Sequence, residues 1–385
     1  MPKSLTNALI TCLYLQVSFG AELHGGDRKL SNAVGVYHWS GHITTGVAPG
    51  LRRILDLGTG VARITISPRM AIDYRTSSHC LAGFRLPQAF DDKELQTAVA
   101  DPRLTALLIT AYDGAGLADC ETHLYMNPSW YTEANTARVT SEYSDLVYRL
   151  YELYAKSQKT FVLLHWEGDN ALYCGSVYLY LGSTEFRDDC HTVYSQVYGG
   201  SRGPADSIQG MILWMSARRA GLADGMRRAQ ADGLGGISVR LGIEINSVRL
   251  LRGMGFSSVL HDVAPFTGID LVSYSAYEAL AHVDPVKALR SNIEAIRQVM
   301  PHASVVLGEI GFDRTGPAER LVPLVQSVLY AALAEGVLFV IHWNLFDSET
   351  LSPYGIFDTD GRPTELYGFY KRFFEVPLEV VDQSS

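Results

Sequence analysis

Short apolar runs and longer amphipathic stretches alternate along the chain, and the spacing of the apolar positions changes with them. The short runs are Gly35–Trp39 (GVYHW), Ala62–Ile66 (ARITI), Ala106–Thr110 (ALLIT), Thr160–His165 (TFVLLH), Ser238–Ile243 (SVRLGI), Asp270–Ser273 (DLVS), Ser304–Leu307 (SVVL) and Phe339–His342 (FVIH). They are almost continuously apolar, which predicts parallel strands covered on both faces. Between them the apolar spacing turns helical. Ser141–Lys156 carries Tyr143, Leu146, Val147, Leu150, Leu153 and Tyr154 on one face. The same spacing predicts helices over Gln209–Gln230, Pro285–Val299, Ala318–Ala334 and Thr364–Phe374, the second with proline in its first turn. Eight strands, most with a helix behind them, predict an α/β fold, a (β/α)8 TIM barrel. Two connections are long, Asp113–Ala137 and Gly168–Ser207. Both leave the C-terminal ends of strands, where barrels build their sites.

At 385 residues, one elaborated barrel domain accounts for the chain, over residues 22–385. The first 21 residues read as a secretion signal: Lys3, then a mostly apolar Leu5–Phe19, then small residues at Ser18-Phe19-Gly20-Ala21. Thr6, Asn7, Thr11 and Gln16 interrupt the apolar stretch, so it is too weak to span a bilayer. A secreted, extracellular or periplasmic location follows. With Cys12 removed, Cys80, Cys120, Cys174 and Cys190 remain; we favour Cys80–Cys120 and Cys174–Cys190, each bracketing a loop. No cysteine spacing resembles a zinc site. The net charge of −9 argues against nucleic acid and against an anionic membrane surface as partners.

Polar residues just past an apolar strand point into a barrel mouth. Here they are Arg63 in the second strand, Tyr112 after the third, Glu167 after the fourth, Glu244 and Asn246 after the fifth, Tyr274 after the sixth, Glu309 after the seventh, and Trp343 and Asn344 after the eighth. The fourth and seventh strands face each other across a barrel, so Glu167 and Glu309 can converge. Two converging carboxyl groups are what glycoside hydrolysis with net retention needs, one as nucleophile and one as acid/base. Trp166, Trp343 and Tyr274 offer an aromatic wall that would raise the pKa of the acid. Asp169 and Asn170 either bind sugar or turn the chain, and Asp347 either lines the rim or is solvated. His165 and His342, one residue from these side chains, should point the other way.

Several segments carry a resemblance: V61-A-R-I-T-I-S67, F161-V-L-L-H-W-E-G-D-N170, D270-L-V-S-Y-S-A-Y277, V305-V-L-G-E-I-G-F312, I341-H-W-N-L-F-D347 and G355-I-F-D-T-D-G-R-P-T364. Across Gly35–Phe374 the chain resembles the clan of retaining barrel glycosidases that includes cellulases, β-mannanases and β-galactosidases. The resemblance implies Glu309 as nucleophile and Glu167 as acid/base. It also implies Tyr274 as a hydrogen-bond donor to the nucleophile, Arg63 as the charge that keeps it ionised, and Trp343 as the floor of a sugar subsite. That clan usually has Asn before the acid/base, binding the sugar 2-hydroxyl; this chain has Trp166. Glu244-Ile245-Asn246 therefore stays open as a competitor for the acid/base role. The expected activity is hydrolysis of β-linked glycosides or glycans by double displacement, with a carbohydrate partner and no metal or organic cofactor. A transglycosylase using the same residues and a catalytically inactive glycan-binding barrel are the alternatives.

Overall fold

The structure, a computed structural model, describes residues 29–39, 46–114, 124–197, 203–316, 318–348 and 353–375. The expected signal over residues 1–21 and Cys120 of the expected Cys80–Cys120 pair lie outside the described residues. The strands are β1 (Val34–His38), β2 (Val61–Ile66), β3 (Ala106–Ala111), β4 (Thr160–Leu164), β5 (Ser238–Leu241), β6 (Ile243–Ile245), β7 (Leu271–Ser275), β8 (Ser304–Ile310) and β9 (Val340–Trp343). All pairings are parallel, in the order β5-β4-β3-β2-β1-β9-β8-β7-β6. The two end strands, β5 and β6, are consecutive in the chain and separated only by Gly242. They are one stave broken at a glycine, so the sheet comes round on itself as a TIM barrel of eight staves.

Side chains on a strand alternate between its two faces, and the two faces of a barrel are its interior and its helix layer. A compact apolar cluster of Tyr37, Val61, Ala106, Leu108, Val162, Leu164, Leu271, Val306 and Ile341 takes one parity and fills the interior. The other parity, with Val36, Ala62, Ile64, Leu107, Ile109, Phe161, Leu163, Val272 and Val340, joins the large cluster under the helices. Continuous apolar strands are thus explained: one set of residues packs inward, its neighbours outward.

The helix expected over Ser141–Lys156 begins earlier, at Glu133, because Thr132 caps it by accepting the backbone N–H of Asn135. It runs to Tyr154 and packs along the helix Pro204–Ala231. That pair approaches closely. A Cβ on Gly221 would sit 2.5 Å from the Thr140 carbonyl oxygen, and one on Gly225 2.5 Å from that of Ser144. The expected helices Pro285–Val299 and Ala318–Ala334 are found with those bounds, and the last runs Glu365–Glu375. The long connection after β4 is itself largely helical, with Val177–Gly182 and Thr184–Val197, and the Cys174–Cys190 disulfide ties it together. Among the described residues no helix is long and apolar enough to cross a membrane.

The close helix pair gives a direct test. Gly225→Leu should destabilise the fold by about 1–3 kcal/mol through overpacking, whereas Gly182→Ala, which meets open space, should stay within about 0.5 kcal/mol of the parent. Urea unfolding of both variants checks the contrast.

Candidate active site

The site begins with a charge inside the barrel. Ala62 and Ile64 face the helices, so Arg63 between them must face the interior, where it is fully buried. A buried guanidinium needs its donors satisfied. Arg63 Nη1 donates to Glu244 Oε2 at 2.8 Å and to the Gly308 carbonyl at 3.0 Å, Nη2 donates to Glu244 Oε1 at 3.0 Å, and Nε and Nη2 donate to Thr110 Oγ1 at 2.9 and 2.8 Å. The guanidinium lies over the Tyr37 ring, 4.4 Å from its centre. Ser273 Oγ donates to Glu244 Oε2 at 2.7 Å. These residues form a polar layer above the apolar interior. No side chain fits beside them at residue 308: a Cβ there would lie 2.1 Å from Ser273 Oγ and 2.4 Å from Glu244 Oε2.

Glu309 follows Gly308, and the pairing of β8 with both neighbours shifts register around it. Such irregularities re-aim a side chain. Glu309 Oε1 stands 3.5 Å from Arg63 Nη1, and the Tyr277 hydroxyl donates to Oε2 at 3.4 Å. Burial pushes the Glu309 carboxyl well above the usual range, opposed first by Arg63; Glu167 and Glu244 add to the rise and Tyr277 opposes it. Glu167 lies beyond β4. Its backbone N–H donates to Glu244 Oε1 at 3.1 Å, and its Oε2 accepts from the Asn170 amide. Its carboxyl is pushed up to about 8, by burial first and the Glu244 charge second; Asn170 and Arg63 oppose. Two interacting carboxyls titrate as a pair. The first charge the pair takes on is best placed at Glu309, whose oxygen is nearest the cation. Burial, then the charges of Glu309 and Glu167, raise the Tyr277 hydroxyl well above its ordinary value, so it remains a donor.

An aromatic wall stands beside Glu309. The Trp343 ring lies 6.5 Å from Tyr277, 6.4 Å from Trp39 and 5.3 Å from Tyr354, and the Trp343–Asn344 peptide is cis. Trp166, next to Glu167, is 37% exposed, a large apolar surface open to a ligand.

Several expected site residues do other work. Tyr274, expected to donate a hydrogen bond to Glu309, does not reach it. Ser273 points inward to Glu244, so its neighbour points outward, where the Tyr274 hydroxyl accepts from Asn292 Nδ2 at 2.8 Å. Tyr277, one turn later, takes the expected place. Asp169 is fully buried and accepts the backbone N–H groups of Asn246, Ser247 and Val259, so it anchors loops rather than facing a ligand. Asn246 accepts the Asn170 N–H at 3.0 Å. Tyr112 accepts the Trp166 N–H at 2.9 Å and stacks with Tyr125 and Trp214. Asp347 is mostly buried, accepting the Gly355 N–H and pairing with Arg314. Glu244 is fully buried against Arg63 and cannot touch a ligand. His165 and His342 are buried; His165 Nε2 accepts the Glu244 N–H at 3.1 Å, and burial lowers both rings, to about 3 and about 4. Tyr277, Trp39, Thr110 and Ser273 join the site without a motif that marks them. Period-two alternation from the interior residues Leu108 and Leu271 points both hydroxyls inward, and Trp39 follows a strand end as Glu167 does. Among the described residues, no group of His, Cys, Asp and Glu is arranged to hold a metal ion.

No protein-family profile matches this chain, and no curated protein matches its sequence. Solved structures do share its architecture. A β-glycosidase from Pyrococcus horikoshii aligns with a TM-score of 0.55 at 10% identity, covering 92% of this chain and 98% of its own. An exo-β-1,4-mannosidase from Opitutaceae bacterium strain TAV5 aligns at 0.54 and 15% identity, over 93% of this chain and 62% of its own. A GH5-4 broad specificity endoglucanase from Clostridium longisporum aligns at 0.51 and 12% identity, over 91% and 99%. The chain has the TIM-barrel fold of these glycosidases.

Proposed function

We propose that the protein is a retaining glycosidase acting on β-linked glycosides or glycans. One observation carries the reading: two buried carboxyls stand at the C-terminal mouth of the barrel against one Arg63–Glu244 ion pair, Glu309 with Arg63 at 3.5 Å and Glu167 with its backbone N–H on Glu244 at 3.1 Å. Arg63 and the Tyr277 hydroxyl favour the charged form of Glu309, which suits a nucleophile. Burial and the Glu244 charge favour the protonated form of Glu167, which suits an acid. Glu309 attacks the anomeric carbon while Glu167 protonates the leaving oxygen. Glu167, now a carboxylate, then takes a proton from the water that hydrolyses the glycosyl-enzyme. No metal or organic cofactor enters this sequence. The Trp343 ring and its neighbours offer a stacking floor for a sugar, and exposed Trp166 offers one on the leaving-group side. The Cys174–Cys190 disulfide supports an oxidising, extracellular or periplasmic setting.

Glu309→Ala should lower kcat on aryl β-glycosides by roughly 10⁴-fold or more. Glu167→Gln should cost roughly 10²–10⁴-fold on substrates with poor leaving groups and far less on dinitrophenyl glycosides, which need no protonation. Unchanged hydrolysis in Glu309→Ala across a panel of β-glycosides would refute the reading. The pH profile supplies a separate test. Because the Glu167 carboxyl is raised to about 8 and acts protonated, kcat/KM should fall as pH climbs through that value. In Glu167→Gln the alkaline limb should vanish; a limb that persists assigns it to another group.

A further inference from the structure

Glu244 has no route to a substrate, yet it touches both halves of the candidate machinery. Oε1 accepts from Arg63 Nη2 at 3.0 Å and from the Glu167 backbone N–H at 3.1 Å. Oε2 accepts from Arg63 Nη1 at 2.8 Å and from Ser273 Oγ at 2.7 Å. Its own N–H donates to His165 Nε2 at 3.1 Å, which fixes the residue at both ends. Every direction around the carboxylate is occupied by a donor from a different stave: Arg63 of β2, Glu167 after β4 and Ser273 of β7.

We propose that Glu244 is the positioning residue of this site, tying the Glu167 segment to the cation beneath Glu309 and partly neutralising that cation. The proposal rests on the glycosidase assignment of Glu167 and Glu309. The geometry gives Glu244 two separable effects. Its bond to the Glu167 N–H holds the chain where it leaves β4, before the Asn170 contact fixes the Glu167 carboxyl. Its charge acts against Arg63, so that the guanidinium does not strip the proton from Glu167 while it supports the charge on Glu309. The ionisable groups facing this cluster are Arg63 with Tyr37 behind it, Tyr112 from the β3 side, His165 and Glu167 from the β4 side, and Glu309 with Tyr277 beside it. Burial keeps His165 neutral and Tyr37 and Tyr112 protonated near neutral pH, so Arg63 and the three glutamates set the local field.

Glu244→Gln removes the charge and keeps the shape. Carbon-13 NMR of the glutamate carboxyls, assigned with Glu167→Gln and Glu309→Gln, reads the titrations directly and needs no turnover. Both should move down by about one pH unit or more, as expected when an adjacent cation loses its counter-charge. Both limbs of the kcat/KM profile should move with them. Glu244→Asp keeps the charge but shortens the reach to the Glu167 N–H, so kcat should fall while the limbs stay in place. Should Glu244→Gln not fold, Ser273→Ala decides the matter. It removes one donor to Oε2, leaves more of the Glu244 charge unscreened, and should move both titrations upward. Titrations that stay put in a folded Glu244→Gln, or in Ser273→Ala where the former fails, overturn the proposal and leave the assignment of Glu167 and Glu309 standing. Absence of any glycosidase activity in the parent protein, with the titrations shifted as stated, would instead refute the functional reading alone.

Discussion

A guanidinium sealed inside a barrel constrains everything around it. Arg63 and Glu244 are both fully buried, and stripping water from two charges costs several kcal/mol per ion unless every donor and acceptor is met. Here they are met, by Thr110, Ser273, the Gly308 carbonyl and the Glu167 N–H. Buried ion pairs are seldom the economical way to stabilise a fold, since a packed apolar cluster does as well. The apolar interior directly below, from Val61 to Ile341, shows that this barrel builds one readily. The charge is therefore better explained by what stands above it than by stability.

That charge also accounts for local features that would otherwise look unrelated. Residue 308 has to be glycine, because the Ser273 hydroxyl and the Glu244 carboxylate occupy the space a side chain would take. Register shifts around Glu309 bring its carboxylate to the edge of the guanidinium. The loop after β4 is held against the same cluster through Glu167, then pinned further out by Asp169, Asn170 and the Cys174–Cys190 bridge. The two carboxyls come from staves far apart in sequence. Their common reference is the Arg63–Glu244 pair between them.

Much of this was legible in the chain. Eight apolar runs in the right rhythm mark the barrel, and the fold gathers at its mouth the polar residues that follow them, Glu167 and Glu309, with Arg63 inside the second strand beneath. Strand alternation is local physics, and it sufficed to place His165 and His342 away from the mouth. The same alternation turns Tyr274 outward, because its neighbour Ser273 faces inward to Glu244. Tyr277 was hidden because it sits past the strand end, in the short helix Tyr277–Leu280, where period two no longer indicates direction. Asp169 and Glu244 illustrate a different limit. A carboxylate at a strand end reads the same whether it meets a ligand or a row of backbone N–H groups, and only the fold brings Val259 to Asp169 or Arg63 to Glu244. At Gly242, where the fifth stave breaks, a Cβ would lie 2.4 Å from Leu271 Cδ2 and 2.7 Å from Leu164 Cδ2, a crowding that only the fold brings about.

The central claim is that Glu309 is the group that becomes covalently attached to the sugar. Incubation with a panel of 2-deoxy-2-fluoro β-glycosides carrying activated leaving groups, followed by peptide mass spectrometry, tests it directly. The account predicts one glycosyl adduct per chain, on the peptide that contains Glu309, and none in Glu309→Ala. An adduct on Glu167 or Glu244, or the same labelling in Glu309→Ala, would contradict it.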